Sequence, residues 1–166
     1  MTPSSRTAVE RRLRELVAGV VPGARIYFPR KRCWRAGFSW NGRHLRPTGE
    51  TLESQCHEVA HLLVAPASRL GQPEFGLGPD PYRRAFVPRT VPLDEADKEE
   101  LDACAMQLLL VHLLGLDEAA VILEVKTEPL TRARVAELRR RHPDALPEEW
   151  WERALATVEA SARWTS

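Results

Sequence analysis

The stretch that decides the fold is residues 51–64, TLESQCHEVAHLLV. Its apolar residues recur at the spacing of one helix face: Leu52, Cys56, Val59, Ala60, Leu63 and Val64. Thr48 and Thr51 can each cap the start of a helix, because a threonine hydroxyl accepts a hydrogen bond from the backbone N–H groups of the first turn. The sequence therefore predicts a helix that stops before Pro66.

Inside this predicted helix lies the motif HExxH, formed by His57, Glu58 and His61. Residues four apart project from one face of a helix, about 5–6 Å from each other, so the two imidazoles can coordinate one metal ion. In zinc hydrolases that carry this motif, the glutamate acts as general base on metal-bound water. The pattern predicts His57 and His61 as metal ligands and Glu58 as the catalytic residue. The simpler alternative is a glutamate flanked by two histidines that bind no metal.

A catalytic metal site needs a third protein ligand and an open position. In this motif class the third ligand is usually acidic and lies on a later helix. The helix predicted from about Asp94 to Leu114 begins with several acidic residues: Glu95, Asp97, Glu99, Glu100 and Asp102. We predict Glu100 as the ligand, because small apolar residues follow it three and four positions later and place it on the face expected to be buried. Glu99 and Asp102 are the alternatives, and the helix dipole alone explains some of this acidity.

The same stretch resembles a known protein family. The residues that match the pattern HExxHxxxAxxxRxxxxxFG without a gap are His57, Glu58, His61, Ala65, Arg69, Phe75 and Gly76. This pattern is similar to a signature of the elongation factor P hydroxylases. The later helix resembles that family's second signature, in which a glutamate precedes an alanine by five residues and a glycine by fifteen, as Glu100 precedes Ala105 and Gly115.

The resemblance covers about residues 52–115, and the layout is more distantly similar to the minimal zinc peptidases. It implies His57, His61 and Glu100 as metal ligands, and Glu58 as an acid/base group or a neighbour of the ligands. It also implies an iron-dependent, hydroxylase-like enzyme that modifies a protein. After Phe75-Gly76 the chain departs from the family, which has an aromatic-rich stretch there, so the substrate side of the pocket is expected to differ.

The type of ligand leaves the reaction open. Two histidines and one carboxylate hold zinc in hydrolases and non-haem Fe(II) in oxygenases, so one divalent ion, Fe(II) or Zn, is the expected cofactor. The first hypothesis is the hydroxylase-like enzyme, and the second is a small zinc-dependent peptidase or hydrolase. Both expect a protein or peptide substrate. A third hypothesis is a non-catalytic binding module with a basic N-terminal surface.

The segment at residues 66–92 is rich in proline and glycine and shows no periodicity. Long irregular segments inside a compact domain are uncommon and often functional. We predict that this segment forms a wall or lid of the substrate pocket. Arg69 and Phe75 are assigned as substrate-binding residues at its start and middle. The alternative for both is structural, with Arg69 paired to a carboxylate and Phe75 packed on the core.

Charge is distributed unevenly, although the formal net charge is only +1. Residues 1–50 contain 11 lysines and arginines against 3 acidic residues, and residues 51–166 contain 13 against 20. A basic surface is able to attract nucleic acid or another acidic partner. The run at Arg30, Lys31 and Arg32 resembles a nucleic-acid contact only loosely. Nucleic acid is therefore not the expected partner, since the acidic remainder of the chain opposes its binding.

The overall pattern predicts an α+β domain, mostly helical, that occupies residues 1–166. The Asn41-Gly42 pair between two short runs is the strongest hairpin signal, so a small antiparallel sheet is expected near the N-terminus, preceded by a strand at Ala24–Phe28. Three widely spaced cysteines make no disulfide framework, and no signal peptide or membrane-spanning run is visible. A cytoplasmic protein that does not associate with membranes is expected, and its oligomeric state is not predicted.

Overall fold

The computed structural model describes residues 5–29, 39–47, 49–78 and 87–162. These ranges contain helices α1 (Arg6–Val20), α2 (Leu52–Val64), α3 (Leu93–Leu114), α4 (Glu118–Val125), α5 (Arg132–Arg141) and α6 (Glu148–Ala162). They also contain strands β1 (Arg25–Ile26) and β2 (His44–Leu45), and short 3₁₀ turns at Ala67–Arg69 and Pro73–Gly76. The mostly helical class predicted from the sequence is confirmed.

The predicted helix ends follow from capping chemistry. The Thr51 side chain accepts a hydrogen bond from the backbone N–H of Ser54 at the start of α2. Asp117 accepts from two backbone N–H groups at the start of α4. Gly115 ends α3 in the left-handed conformation, with φ of 68°. The cap predicted at Thr51 is confirmed, whereas Thr48 lies outside the described residues.

Helices α2 and α3 form the centre of the molecule and pack along each other. Two contacts at opposite ends fix their relative direction. The backbone carbonyl of Glu53, near the start of α2, accepts from Gln107 in the second half of α3, whereas His61, near the end of α2, lies beside Glu100 in the first half of α3. The two helices are therefore antiparallel. Apolar residues of the other four helices join the same hydrophobic cluster, including Leu13, Val121, Val135 and Trp151.

The predicted antiparallel sheet is wrong. Strand β1 pairs with β2 in parallel, with Arg25 opposite His44 and Ile26 opposite Leu45. Around the Asn41-Gly42 turn, the described residues show an isolated antiparallel bridge between Trp40 and Leu45. Strands of two residues are too short for a sequence pattern to identify their partner. In the structure β2 joins the distant β1, and the described part of the Asn-Gly hairpin is limited to the pairing of residues 39–40 with residues 45–46.

The Asn41-Gly42 turn nevertheless forms, and it packs against the segment that follows α2. Asn41 Oδ1 accepts hydrogen bonds from the backbone N–H groups of Arg43 and His44, and Gly42 has φ of 87°. A Cβ atom at Gly42 would lie 2.7 Å from the carbonyl oxygen of Gly71. Glycine is therefore needed here both for the backbone conformation and for the close approach of two loops.

Three predicted features fall partly or wholly outside the described residues. The basic run at Arg30, Lys31 and Arg32 lies there, as does the first half of the predicted hairpin before Ser39. The proline-rich segment is described at residues 66–78 and 87–92. In the described part of the chain, no helix combines the length and the apolar character that crossing a membrane requires.

Replacing Gly115, which ends α3, and replacing Gly19, in the last turn of α1, should change stability in opposite directions. Gly115→Ala is expected to reduce the free energy of unfolding by about 1 kcal/mol, because an L-residue resists the left-handed conformation. Gly19→Ala is the matched control: it lies within α1, and nothing is within 4 Å of the Cβ it would gain. It is expected to add about 0.5 kcal/mol through helix propensity. Urea unfolding followed by circular dichroism measures both, and shifts in the same direction would contradict this assignment.

Candidate metal centre

Helix α2 brings His57 and His61 together, as their spacing predicts. Their Nε2 atoms lie 3.1 Å apart, and the two ring planes are nearly perpendicular, at 88°. Two imidazole nitrogens that face each other repel through their lone pairs unless a proton or a cation lies between them. The pair therefore forms a place where a proton or a metal ion is held.

Glu100 of α3 completes a three-residue cluster with these histidines. Its Oε1 lies 3.4 Å from His57 Nε2, and its Oε2 lies 3.2 Å from His61 Nε2. Among the described residues, His57, His61 and Glu100 are the group of histidine, cysteine and acidic side chains whose ligand atoms are close enough to share a metal ion. The structure thus brings together the three residues that the sequence predicts as ligands.

The dimensions of the cluster fit a metal ion of the expected kind. Ligand atoms about 2.1 Å from a metal lie about 3.0 Å apart at neighbouring octahedral positions and about 3.4 Å apart at tetrahedral ones. The observed separations of 3.1 Å, 3.2 Å and 3.4 Å between ligand atoms fall in this range. Because both geometries fit, the triangle accommodates zinc and Fe(II) equally.

A buried amide holds the ring of His57. Gln107 of α3 is 1% exposed, and its Oε1 lies 3.1 Å from His57 Nδ1. Its Nε2 donates to the backbone carbonyl of Glu53, 3.0 Å away, which orients the amide so that the oxygen faces the histidine. Nδ1–H of His57 then donates to Gln107, and the lone pair of Nε2 points into the cluster. Metal-binding histidines are commonly oriented in this way.

The ring of His61 is held differently. Its Nδ1 is buried and has no hydrogen-bond partner among the described residues. Instead, the ring of Phe75 stacks on the imidazole, with ring centroids 6.0 Å apart and planes at 19°. Phe75 in turn stacks on Trp40, with centroids 5.7 Å apart and planes at 5°. His61 thus lies at the end of a row of aromatic rings.

Electrostatics favour a protonated His61 beside an ionised Glu100. Burial lowers the pKa of the His61 imidazole, but the hydrogen bond and negative charge of Glu100 raise it by more, so the pKa lies above its ordinary value. The charges of Glu58 and Glu99 act in the same direction. The hydrogen bond from His61 lowers the pKa of Glu100 to about 2. A metal ion binds neutral imidazole, so it must displace this proton, and binding is expected to tighten as the pH rises.

The exposure of Glu100 corrects one step of the sequence argument. Its side chain is 52% exposed and does not lie on the buried face of α3. Its neighbour Glu99 is buried instead: that side chain is 8% exposed and forms an ion pair with Arg69. Successive residues of a helix are turned by about 100° from each other, so the two carboxylates point to different surroundings. A metal ligand at an open site needs some exposure, which Glu100 has.

The other alternative ligand, Asp102, is also occupied elsewhere. Its carboxylate lies 2.5 Å from Arg141 Nη1 and 2.8 Å from His142 Nε2, both at the end of α5. Asp102 therefore joins α3 to α5, and Glu99 joins α3 to the segment after α2 through Arg69. Of the three candidates on α3, Glu100 is the one whose carboxylate faces the two histidines.

Glu58 lies next to His57 on α2 and is half-buried. Its carboxylate is near enough to contribute to the raised pKa of His61. This placement is compatible with the predicted role of a base beside the cluster, and that role stays a prediction.

Arg69 and Phe75 make internal contacts. The guanidinium of Arg69 is buried, donates to the backbone carbonyl of Phe75 at 2.7 Å and pairs with Glu99. Phe75 is 2% exposed and packs between His61 and Trp40. These contacts match the structural alternative given above, and substrate binding by either residue stays a prediction. They also place residues 69–76 beside His61, where a wall of the site would lie.

His112 and Cys104 have partners within the described structure, and Cys56 is buried. His112 Nδ1 lies 2.9 Å from Glu118 Oε1, and its Nε2 lies 2.7 Å from Thr157 Oγ1, so this histidine links α3 to α4 and α6. The thiol of Cys104 lies 3.7 Å from Glu100 Oε1, and burial raises its pKa to about 12. Burial also raises the pKa of the Cys56 thiol. Both cysteines are thus held as neutral thiols.

Sequence reasoning missed the residues that orient the histidines. Gln107 follows Glu100 by seven residues, two helical turns, and this spacing was the available signal that both face α2. Trp40 gave no comparable signal, and Phe75 was predicted as a substrate contact, because the stacking of Trp40 on Phe75 and of Phe75 on His61 depends on the path of a loop.

The comparisons with known proteins give no further identification. Neither a scan against protein-family models nor searches of curated proteins and of solved structures return a match. The likeness to the elongation factor P hydroxylases therefore rests on the residues that carry it and stays a prediction.

The cluster predicts how metal stoichiometry responds to substitution. His57→Ala and His61→Ala are each expected to abolish one-to-one binding of Zn²⁺ while the fold persists, because each removes one ligand nitrogen. Glu100→Gln is expected to weaken binding, because the neutral amide is a poorer ligand. Glu152→Gln, at an exposed position of α6, is the control and should bind as the wild type does. Isothermal titration calorimetry measures all four, and undiminished binding by both histidine variants would contradict the site.

Proposed function

We propose that the chain is a metal-dependent enzyme whose ion is held by His57, His61 and Glu100. The observation that carries the proposal is the triangle of ligand atoms, with separations of 3.1–3.4 Å, built by two antiparallel helices. An ordinary ion pair joins one cationic side chain to one anionic side chain. Here two imidazoles and a carboxylate converge, and one of the imidazoles is oriented by a buried amide.

The exposure of the cluster supports a catalytic site over a closed structural one. The side chains of Glu100 and His57 are 52% and 25% exposed, respectively, whereas His61 is buried. Structural metal sites have four protein ligands, whereas catalytic sites have three and leave a position open to water or substrate. The described residues offer three ligands, which is the number a catalytic site uses.

The reaction we propose is hydroxylation of a protein or peptide side chain, with Fe(II) as the ion. This choice follows the resemblance of His57–Gly76 and of α3 to the elongation factor P hydroxylases. Hydroxylation inserts one atom of dioxygen into a C–H bond and reduces the other to water, so an external donor must supply two electrons. Bound at this ligand set, Fe(II) supplies the positions at which such chemistry takes place.

The residues of the chain itself have distinct roles in this proposal. His57 and His61 bind as neutral imidazoles, and Glu100 supplies negative charge that offsets part of the charge of the ion. Gln107 fixes the tautomer of His57 by accepting a hydrogen bond from its Nδ1–H. Glu58 holds or releases a proton beside the cluster, since its carboxylate lies near His61.

A zinc-dependent peptidase or hydrolase is the second candidate. The observation in its favour is that Glu58 directly follows the first ligand on α2, which is where the general base of HExxH hydrolases lies. In that reaction Glu58 would accept the proton of the attacking water. Both candidates use the same ligands, act on a protein or peptide and belong inside the cell, in the cytoplasm.

Metal analysis of protein purified anaerobically, without added metal, separates the two candidates. We expect iron at one equivalent, and the Fe(II) protein exposed to nitric oxide should give the electron paramagnetic resonance signal of an adduct, because the site has an open position. Glu58→Gln should retain the iron and the adduct, since Glu58 is not a ligand. Glu100→Gln is the matched control and should lose iron.

Other outcomes count against the proposal in different ways. Zinc at one equivalent, with hydrolysis of a fluorogenic peptide library that Glu58→Gln abolishes, would replace the hydroxylase with the hydrolase. Equal loss of metal in Glu58→Gln and Glu100→Gln would show that Glu58 is itself a ligand. Failure of the wild type to bind either metal would refute the enzyme proposal.

A further inference from the structure

We infer that the left-handed turn at Glu74–Gly76 is a positioning device for the metal ligand His61, acting through the ring of Phe75. This inference rests on the proposed function, because it assigns a role in metal binding. It gives Phe75 a different role from the substrate contact predicted from the sequence.

The backbone of this turn is strained. Glu74 has φ of 47° and ψ of 32°, and Phe75 has φ of 54° and ψ of 17°, followed by Gly76 with φ of 76°. The left-handed region costs an L-residue about 1–2 kcal/mol, and two such residues in succession are unusual. Such strain persists only where the surroundings enforce it, and it is concentrated at functional sites.

Four contacts enforce the turn. The buried carboxylate of Glu74 accepts hydrogen bonds from the backbone N–H of Ser39, at 2.5 Å, and from the Ser39 hydroxyl. The backbone N–H of Glu74 donates to the Trp40 carbonyl at 2.9 Å. The Arg69 guanidinium, itself paired with Glu99, donates to the Phe75 carbonyl at 2.7 Å.

Gly76 is required by the same arrangement. Its φ of 76° suits glycine, and a Cβ atom there would lie 2.2 Å from Thr90 Oγ1 and 2.6 Å from Gln72 Oε1. Any other residue would have to move the side chains of Thr90 and Gln72 and adopt a backbone conformation that favours glycine. Arg69, Phe75 and Gly76, which share one sequence pattern with the histidines, thus belong to one structural unit beside His61.

The turn directs the Phe75 ring onto the imidazole of His61. The ring of a metal-binding histidine is usually fixed by a hydrogen bond to its other nitrogen, and Gln107 provides this bond for His57. His61 Nδ1 is buried and has no such partner among the described residues. Besides its contacts with His57 and Glu100, the His61 ring is stacked on Phe75, and Phe75 is stacked on Trp40, which is anchored by its Nε1–H bond to the Leu70 carbonyl.

Stacking restricts the tilt of the His61 imidazole without a hydrogen bond to Nδ1. Aromatic pairs gain stability from offset-stacked geometry, so rotation of His61 out of this plane is opposed. The turn therefore holds His61 Nε2 at its position in the triangle before any metal arrives. Loss of the ring should loosen this ligand and weaken metal binding without removing a ligand atom.

Binding of Co²⁺ tests the inference, because its visible spectrum reports coordination geometry independently of turnover. Phe75→Leu keeps an apolar side chain but removes the ring, and we expect about tenfold weaker binding together with an altered visible spectrum. The matched control is Phe28→Leu, the same substitution at a half-buried ring that lies under Arg14 and has no contact with His61 among the described residues. It should leave Co²⁺ affinity and the spectrum unchanged.

The outcomes separate this inference from the proposed function. If the wild type binds no Co²⁺ or other divalent metal, the proposed function fails. If the wild type binds and Phe75→Leu matches it in affinity and spectrum, only the positioning role is overturned. Should Phe75→Leu fail to fold, Ser39→Ala replaces it, since it removes one bond to Glu74 and leaves the ring in place. Weaker Co²⁺ binding by Ser39→Ala supports the inference, and unchanged binding overturns it.

Discussion

The candidate site depends on one interaction above all, the bridge that the buried amide of Gln107 makes between α3 and α2. Gln107 donates to the Glu53 carbonyl and accepts from His57, so both ends of the amide are satisfied in an interior where an unpaired polar group is costly. This bridge fixes the register of the two antiparallel helices. Because Glu100 lies two turns before Gln107 on the same face of α3, the same register places its carboxylate opposite His57 and His61.

Successive residues of an α-helix point in different directions, so Glu99, Glu100 and Asp102 of α3 contact different neighbours. Glu99 turns to Arg69 and holds the segment after α2, and Asp102 turns to Arg141 and His142 at the end of α5. Glu100 lies between them and faces the histidines. Removing one partner of a buried ion pair is strongly destabilising, so Glu99, which pairs with the buried Arg69, is committed to the fold. Asp102 is buried and holds two partners at the end of α5. The more exposed Glu100 is the carboxylate that faces the candidate site.

Much of this arrangement was predictable from the sequence, because it depends on local spacing. The start of α2 followed from Thr51, the helix predicted from about Asp94 to Leu114 matches α3, and the pairing of His57 with His61 followed from the four-residue interval. The selection of Glu100 was a prediction whose geometry the structure matches, although the burial used to argue for it was wrong. The sequence pattern identified α3 as the helix that carries the third candidate ligand, and it limited the candidates to Glu99, Glu100 and Asp102.

The remainder depends on contacts between distant segments, which a single sequence does not encode locally. The Asn41-Gly42 turn formed, but β2 paired in parallel with β1, because the partner of a two-residue strand is chosen by packing. The stack of Phe75 on His61 requires the left-handed turn, which is held by Ser39 from an earlier loop. No periodicity or motif spacing reports such a contact.

The central claim is that two imidazoles and one carboxylate bind a single metal ion. X-ray absorption spectroscopy of the protein loaded with one equivalent of zinc tests it most directly. The account predicts a first shell of nitrogen and oxygen only, at about 2.0–2.1 Å, with the outer-shell scattering of two imidazole rings. The thiol of Cys104 lies 3.7 Å from Glu100, and Cys56 precedes the first histidine, so sulfur ligands are the nearest competitors. A sulfur shell at about 2.3 Å, or scattering from fewer than two imidazoles, would contradict the account.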